Sequence, residues 1–127
     1  LVVKEDSTGN ARNYALVIPA NTMQVRYAVW AGDCTTKFAA NSVGQLALNA
    51  WNHVVFTYDG STESVYINGI RDSSIAAPTT SLCQAAVPVK IGKETSAFLP
   101  FNGVLDNIVI YNQALSAADV RSLYQGF

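Results

Sequence analysis

Charged side chains are scarce in this sequence, and their signs nearly cancel. Lysine and arginine together number 8, aspartate and glutamate 9, and the net charge is −1 over 127 residues. A surface that binds nucleic acid or an anionic membrane needs a clear excess of positive charge, so the composition argues against both partners. Long apolar runs are also missing, since none approaches the roughly 20 residues of a membrane-spanning helix.

Motifs that mark catalytic or metal sites are missing as well. The one histidine, His53, has no second histidine or cysteine at a metal-binding spacing. The sequence has no Gly-x-Ser-x-Gly elbow and no glycine-rich phosphate loop. A Ser-His-acid triad leaves no mark in a single sequence, so that arrangement stays open. We expect a protein without enzymatic activity.

Cysteine occurs only twice, as Cys34 and Cys83. Two buried free thiols are one interpretation, and a single disulfide across roughly 50 residues is the other. Each cysteine lies in a polar, turn-rich setting, which suits a disulfide at the surface, and this pairing is our prediction. In the chain-entropy view such a bond contributes about 4 kcal/mol. It would also indicate an oxidising compartment.

The best-defined element is a β-hairpin over residues 51–69. Trp51 to Tyr58 is rich in β-branched and aromatic residues, Asp59 to Thr62 is a turn cluster, and a second strand ends at the Asn68-Gly69 turn. We expect further strands over residues 1–4, 13–18, 22–31, 35–40, 70–74 and 87–92. In the strand at 22–31, alternation puts Met23, Val25, Tyr27 and Val29 on one face and Gln24, Arg26 and Trp30 on the other.

The last quarter of the chain predicts one more strand and the only good helix. Val104 to Tyr111 is apolar on both faces, which is typical of a strand in the centre of a sheet. Ser116 suits a helix N-cap, Asp119 sits at the third helical position, and Gly126 is placed to end the helix. Many short strands, frequent turns and one short C-terminal helix indicate an all-β fold, an antiparallel β-sandwich.

Four segments together carry a resemblance to a known family. Residues 51–69, WNHVVFTYDGSTESVYING, resemble the W-x-H-V, Y-D-G and Y-x-N-G hairpin of laminin G-like domains in the concanavalin A-like lectin/glucanase superfamily. Residues 89–92, 101–111 and 114–124 are similar to the family's next strand, its F-x-G-x-I-D-E-V-x-I-Y strand and its terminal A-L-S helix. The resemblance runs from about residue 14 to the end and implies a jelly-roll-like sandwich.

The resemblance also implies that something precedes this sequence. Such domains carry several strands before the position where residue 1 falls, so we expect residues 1–127 to form a single domain that is incomplete at its N-terminus. Sheet edges left without partners tend to pair with another chain. We expect the missing strands to come from a strand-donating partner chain, from a segment outside this sequence, or from a self-associated copy.

The resemblance suggests one metal ligand, Asp106. An aspartate at this point of the family's motif often helps to hold a structural calcium ion, which takes six to eight oxygen ligands. The remaining ligands would then come from the N-terminal strands. The alternative is that Asp106 only accepts backbone hydrogen bonds near the Gly103 turn.

Aromatic residues suggest a ligand site. Trp30 and Trp51 could stack on a sugar ring with Arg26, Tyr27 and His53 beside them, although a core position is the alternative for each tryptophan. Trp51 and His53 belong to the family's hairpin, so we expect Trp51 in the core and His53 in a local hydrogen bond. Loop residues at the rim of the sandwich are equal candidates, namely Arg12, Tyr14, Asp33, Lys37 and Lys93.

These observations lead to three hypotheses about function. The first is a non-catalytic binding or adhesion module, secreted or displayed on a cell or virion surface, that recognises a glycan or an extracellular protein. The second is a structural subunit of an extracellular fibre, pilus, tail or coat. The third is an accessory module of a polysaccharide-degrading enzyme. The Glu-x-Asp-x-x-Glu run of the superfamily's hydrolases, which supplies their paired carboxylates, does not occur here.

Overall fold

The computed structural model describes residues 1–6, 11–93 and 100–126. Two antiparallel sheets and one helix make up this part of the chain, which confirms the predicted all-β class. The elements are β1 (Val2–Glu5), β2 (Arg12–Val17), β3 (Arg26–Trp30), β4 (Lys37–Asn41), β5 (Val54–Tyr58), β6 (Thr62–Ile67), β7 (Ile70–Ala76), β8 (Val89–Ile91) and α1 (Ala117–Gln125).

The predicted hairpin is β5 and β6, and its two turns explain why it forms. Asp59 accepts backbone hydrogen bonds from Ser61 at 2.9 Å and Thr62 at 2.8 Å, which stabilises the tight connection. Asn68 and Gly69 have φ angles of 52° and 78°, the left-handed pair that a two-residue hairpin turn requires. This turn leads directly into β7, so three strands follow from local chemistry.

Strand order divides the molecule into a large sheet and a small sheet. The large sheet has the order β4-β3-β2-β1-β8, and the small sheet has the order β5-β6-β7. The sheets are joined on one side, where the Asp72 carboxylate of β7 accepts hydrogen bonds from Val43 N–H at 2.6 Å and Gly44 N–H at 2.7 Å, just after β4. Five strands therefore face three.

Each face of the large sheet carries its own apolar cluster. The inner cluster, between the sheets, contains the buried residues Val25, Tyr27, Leu46 and Val65. The outer cluster, on the opposite face, contains Val3, Ala15, Ala28, Trp30 and Cys83. The alternation predicted for residues 22–31 is thus confirmed, because neighbouring residues of β3 enter different clusters.

Two sequence predictions about the core are wrong. The run Val104 to Tyr111 forms no strand and is largely exposed; Asn107, at a φ of 51°, interrupts it, and no strand of the described residues lies beside it. Trp51 is 71% exposed rather than core. It precedes β5, in a loop that the Asn52 side chain holds through bonds to Ala47 and Ala50, so neither sheet covers it.

The helix α1 begins as predicted. Ser116 caps it, Asp119 bonds back to the Ser116 N–H at 3.0 Å, and Val120 is fully buried. Tyr124 lies against Gly69 at the β6–β7 turn and within 5.8 Å of the His53 ring, measured between ring centres. No helix among the described residues is long and apolar enough to cross a membrane.

Candidate functional site

A groove of about 590 Å³ lies on the outer face of the large sheet. Its floor is low because small side chains meet there in register: Ala15 of β2 is paired with Ala28 of β3. Larger side chains stand around this floor. Val17 is paired with Arg26 at one end, and Trp30 is paired with Lys37 at the other.

Trp30 forms the aromatic wall of the groove. Only 9% of its surface is exposed. Two cations lie over its ring: Arg12 Cζ is 5.5 Å and Lys37 Nζ is 5.9 Å from the ring centre. Contacts of this kind are attractive because the ring face carries negative charge density. They hold both cationic groups close to the apolar floor.

The segment around Cys83 covers part of the outer cluster, and a disulfide holds it next to Trp30. Cys34 and Cys83 are bonded as predicted. The Cys83 N–H donates to the Trp30 carbonyl at 2.9 Å, and Asn13 Nδ2 donates to the Cys83 carbonyl. The turn that carries Cys34 is ordered by Asp33, which accepts hydrogen bonds from Thr35 and Thr36. These bonds lower the pKa of Asp33 to about 2.

The second wall comes from the region after β8. Pro100, Phe101 and Asn102 line the groove together with Lys93, and the Phe101 N–H donates to the Gly92 carbonyl at 2.7 Å. The bond to Gly92 fixes this wall to the end of the strand that borders β1. The groove therefore runs between strand side chains on one side and irregular backbone on the other.

Positive charge is concentrated in the groove. Four of the chain's eight lysine and arginine residues line it, Arg12, Arg26, Lys37 and Lys93, and no Asp or Glu is among the described lining residues. Arg12 is partly neutralised by the buried Glu5, whose Oε2 lies 3.0 Å from Arg12 Nε. Arg26, Lys37 and Lys93 are exposed and form no ion pair with another described residue. The local potential is therefore positive although the whole chain is slightly negative.

The structure brings together only part of the predicted ligand site. Trp30 and Arg26 both line the groove. Tyr27 does not, because alternation turns it to the inner face, where it is 0% exposed and its hydroxyl lies 3.2 Å from Ser73 Oγ. His53 is also remote from the lining, and burial lowers its pKa.

The other lining cations were predicted only as general rim residues. Lys37 could have been linked to Trp30, because a hairpin closed at Gly32-Asp33 pairs these positions. Arg12 and Lys93 reach the groove through the order β3-β2-β1-β8, which no short motif encodes. Phe101 was assigned to a turn before the predicted central strand, so its place in a wall was missed.

Asp106 lacks the surroundings of a calcium site in the described structure. It is exposed, and its Oδ1 accepts a hydrogen bond from the adjacent Asn107 N–H at 2.8 Å. The described residues contain no group of three His, Cys, Asp or Glu side chains that could hold a metal ion. One carboxylate supplies only part of the oxygen set that calcium takes, so the described residues alone do not form a calcium site, and the ion with further ligands from N-terminal strands stays a prediction.

Comparison with known proteins identifies the family. A family model for laminin G-like domains, described as "Concanavalin A-like lectin/glucanases superfamily", matches residues 1–121. The chain is similar to the 2.1 Å crystal structure of residues 221–444 of an S-layer domain-containing protein from Clostridium thermocellum, with a TM-score of 0.51 and 19% identity. The match covers 88% of this chain but 63% of that one, so it supports the fold alone. No curated protein matches the sequence significantly. The chain belongs to the laminin G-like family of the concanavalin A-like lectin/glucanase superfamily.

Proposed function

We propose that this chain is a non-catalytic, extracellular binding module that takes an acidic glycan in the groove beside Trp30. The observation that carries the proposal is the collection of four cations around an apolar floor with no lining carboxylate among the described residues. The family supports a glycan or protein ligand, and the disulfide supports a secreted or surface-displayed protein.

The chemistry of the groove favours binding over hydrolysis. Glycoside cleavage requires two carboxylates on either side of the scissile bond, and the described lining residues include no Asp, Glu or His. The apolar floor, with Ala15, Ala28 and Val17, suits the C–H face of a sugar ring. Arg26 and Lys37, at opposite ends of the floor, are placed to pair with carboxylates on separate sugar units.

A titration with matched acidic and neutral sugars tests this function. We expect an oligomer of galacturonic acid to bind, and the neutral galactose oligomer of equal length to bind at least about tenfold more weakly, because each charge-assisted contact is worth about one decade in affinity or more. Added salt should weaken the acidic ligand selectively. Equal affinity for the two oligomers would contradict the electrostatic part of the proposal, and an acidic and neutral glycan array without a single positive would contradict glycan binding.

Single substitutions locate the binding site. Arg26→Ala and Lys37→Ala should each raise the Kd for the acidic oligomer about tenfold. Arg71→Ala and Arg121→Ala are the matched controls, since both arginines are exposed and neither lines the groove. Controls that weaken binding as much as the groove variants would place the ligand elsewhere.

The same groove fits an accessory module of a polysaccharide-degrading enzyme, whose catalytic residues would lie in another part of a longer protein. A structural subunit of an extracellular assembly is the alternative from a different class. The observation that favours it is the exposed apolar segment before α1.

A further inference from the structure

The cations that line the groove stand at its two ends. On the outer face of β3 the side chains follow in the order Arg26, Ala28 and Trp30, because alternate residues of a strand share a face. Positions 26 and 30 are about 13 Å apart along the strand. Lys37 of β4 is paired with Trp30. Arg26 and Lys37 are therefore separated by this length of the sheet.

The other two described cations of the groove join the same two ends. Arg12 lies over the Trp30 ring and so belongs to the end that carries Lys37. Lys93 lies just beyond β8, where a backbone hydrogen bond of 2.9 Å joins the chain to the residue that precedes β1. The sheet register puts that residue level with Arg26. Each end of the groove thus has one arginine and one lysine.

Between the two ends, the described floor consists of small apolar side chains. One row crosses four strands in register, from Val3 of β1 through Ala15 of β2 and Ala28 of β3 to Ala39 of β4. Carbon-rich surface of this kind offers contact to the C–H face of a sugar ring and leaves no polar group of the ring facing a charge. The groove therefore provides charge at both ends and apolar contact in the middle.

The fold fixes the distance between the two charged ends. At one end the Trp30 ring holds Lys37, whose Nζ lies 5.9 Å from the ring centre. Trp30 itself is 9% exposed, and its carbonyl accepts a hydrogen bond from the Cys83 N–H at 2.9 Å. Arg26 and Lys37 are both exposed, so a ligand that reaches one of them can continue past it.

We infer that the groove takes a run of several units of an acidic polysaccharide, extended along β3, with one acidic unit at the Arg26 end and another at the Lys37 end. This inference rests on the proposed glycan-binding function and adds that the ligand must bridge the two ends. A single acidic sugar has one carboxylate and can pair with one end only. When both acids belong to one chain, the second contact is intramolecular, and its high effective concentration increases the affinity.

An NMR titration tests the bridging, because the backbone amides of Arg26 and Lys37 report the two ends separately. Galacturonic acid and its linear hexamer are the matched ligands. We expect the hexamer to shift both amides with one shared Kd, at least about tenfold below that of the monomer. The monomer should shift the two amides with Kd values that are independent of each other.

Lys37→Ala distinguishes a bridging ligand from two separate contacts. With the hexamer, the Kd measured at the Arg26 amide should rise about tenfold, because the second contact is lost. With the monomer, the same Kd should stay within about twofold, as expected for independent sites that lie far apart. Lys37→Arg keeps the charge and should restore tight binding of the hexamer. Arg71→Ala, an exposed position outside the groove, is the control and should change neither value.

The two possible failures are distinguishable. If the hexamer shifts both amides but its Kd at Arg26 does not respond to Lys37→Ala, the two ends act separately, which would overturn the bridging and leave glycan binding in place. If neither amide responds to any acidic sugar, the groove is not the glycan site, and the proposed function fails together with the inference.

Discussion

The outer and inner clusters occupy the two faces of one sheet but are covered in different ways. A second sheet covers the inner cluster, so strands β5, β6 and β7 supply regular apolar rows against Val25 and Tyr27. An irregular segment covers the outer cluster, held by Cys83 through its disulfide and its hydrogen bond to Trp30. The segment around Cys83 covers only part of the outer cluster, and the groove lies over the part that it leaves uncovered.

The two faces also differ in whether their buried carboxylates have a partner. On the outer face Glu5 is buried but paired with Arg12 at 3.0 Å. On the inner face Glu63 is 0% exposed, and neither carboxylate oxygen has a hydrogen bond of normal geometry with a described residue. A buried carboxylate without a partner is costly in its charged form. The inner face therefore carries a buried carboxylate with a raised pKa, Glu63, whereas the buried carboxylate of the outer face, Glu5, is paired with Arg12.

Removal of the disulfide is the largest test of this difference. Cys34→Ser with Cys83→Ser should lower the free energy of unfolding by about 4 kcal/mol, because the unfolded chain regains the freedom of a loop of roughly 50 residues. The cover over Trp30 should loosen at the same time. In a Trp51→Phe background, Trp30 is the only tryptophan, so a red shift of its emission in the folded state reports that loosening.

The matched control replaces both cysteines by alanine. Alanine is less polar than serine, and the segment around Cys83 loses its covalent link in both double variants. Its unfolding free energy should fall by a similar amount. If either variant loses less than about 1 kcal/mol and Trp30 emission stays unchanged, the outer cluster is stable without its covalent link and the contrast between the faces disappears.

Local sequence patterns were sufficient where one strand follows another through a turn. The hairpin β5–β6 and its continuation into β7 depend on Asp59, Asn68 and Gly69, and these residues act within a few positions of themselves. The split of β3 between two faces follows from alternation alone. The helix start at Ser116 is equally local.

Patterns failed where structure depends on distant partners. Val104 to Tyr111 has the composition of a central strand, but strand formation requires a neighbour, and no described strand supplies one. The groove could not be assembled for the same reason. Arg26 and Trp30 share a face of one strand, whereas Arg12, Lys37 and Lys93 join them only through sheet order.

Glu63 provides the second test, on the inner face. Burial raises its pKa from 4.5 to about 7, and the nearby Val29 backbone offsets only part of this shift. Burial of the Tyr27 and Tyr58 hydroxyls raises their pKa values, and the negative charge of Glu63 adds to the rise. Since the folded state binds this proton more tightly than the unfolded state, stability falls as pH rises between about 4.5 and 7, by at most about 3 kcal/mol.

Glu63→Gln should remove this slope, and the variant should be more stable than the wild type at pH 8. Urea unfolding at several pH values between 4.5 and 8 measures both effects. Asp106→Asn, which changes an exposed carboxylate, is the control and should leave the slope as it is. A wild-type protein whose stability rises from pH 5 to pH 8 would show that Glu63 is paired or solvated in the folded protein.

The smallest test concerns the helix that packs at the end of the small sheet. Ser116 accepts the Asp119 N–H at 3.2 Å and so satisfies one of the free donors at the start of α1. Ser116→Ala should therefore cost about 1 kcal/mol in thermal or urea unfolding, whereas Ser122→Ala, exposed within α1, should change stability by less than about 0.5 kcal/mol. Because α1 contacts the β6–β7 turn through Tyr124, the cap variant in the same Trp51→Phe background should leave Trp30 emission unmoved. An emission shift as large as that of the disulfide variant would mean that the helix and the cover over Trp30 are coupled, so that the two regions do not contribute to stability separately.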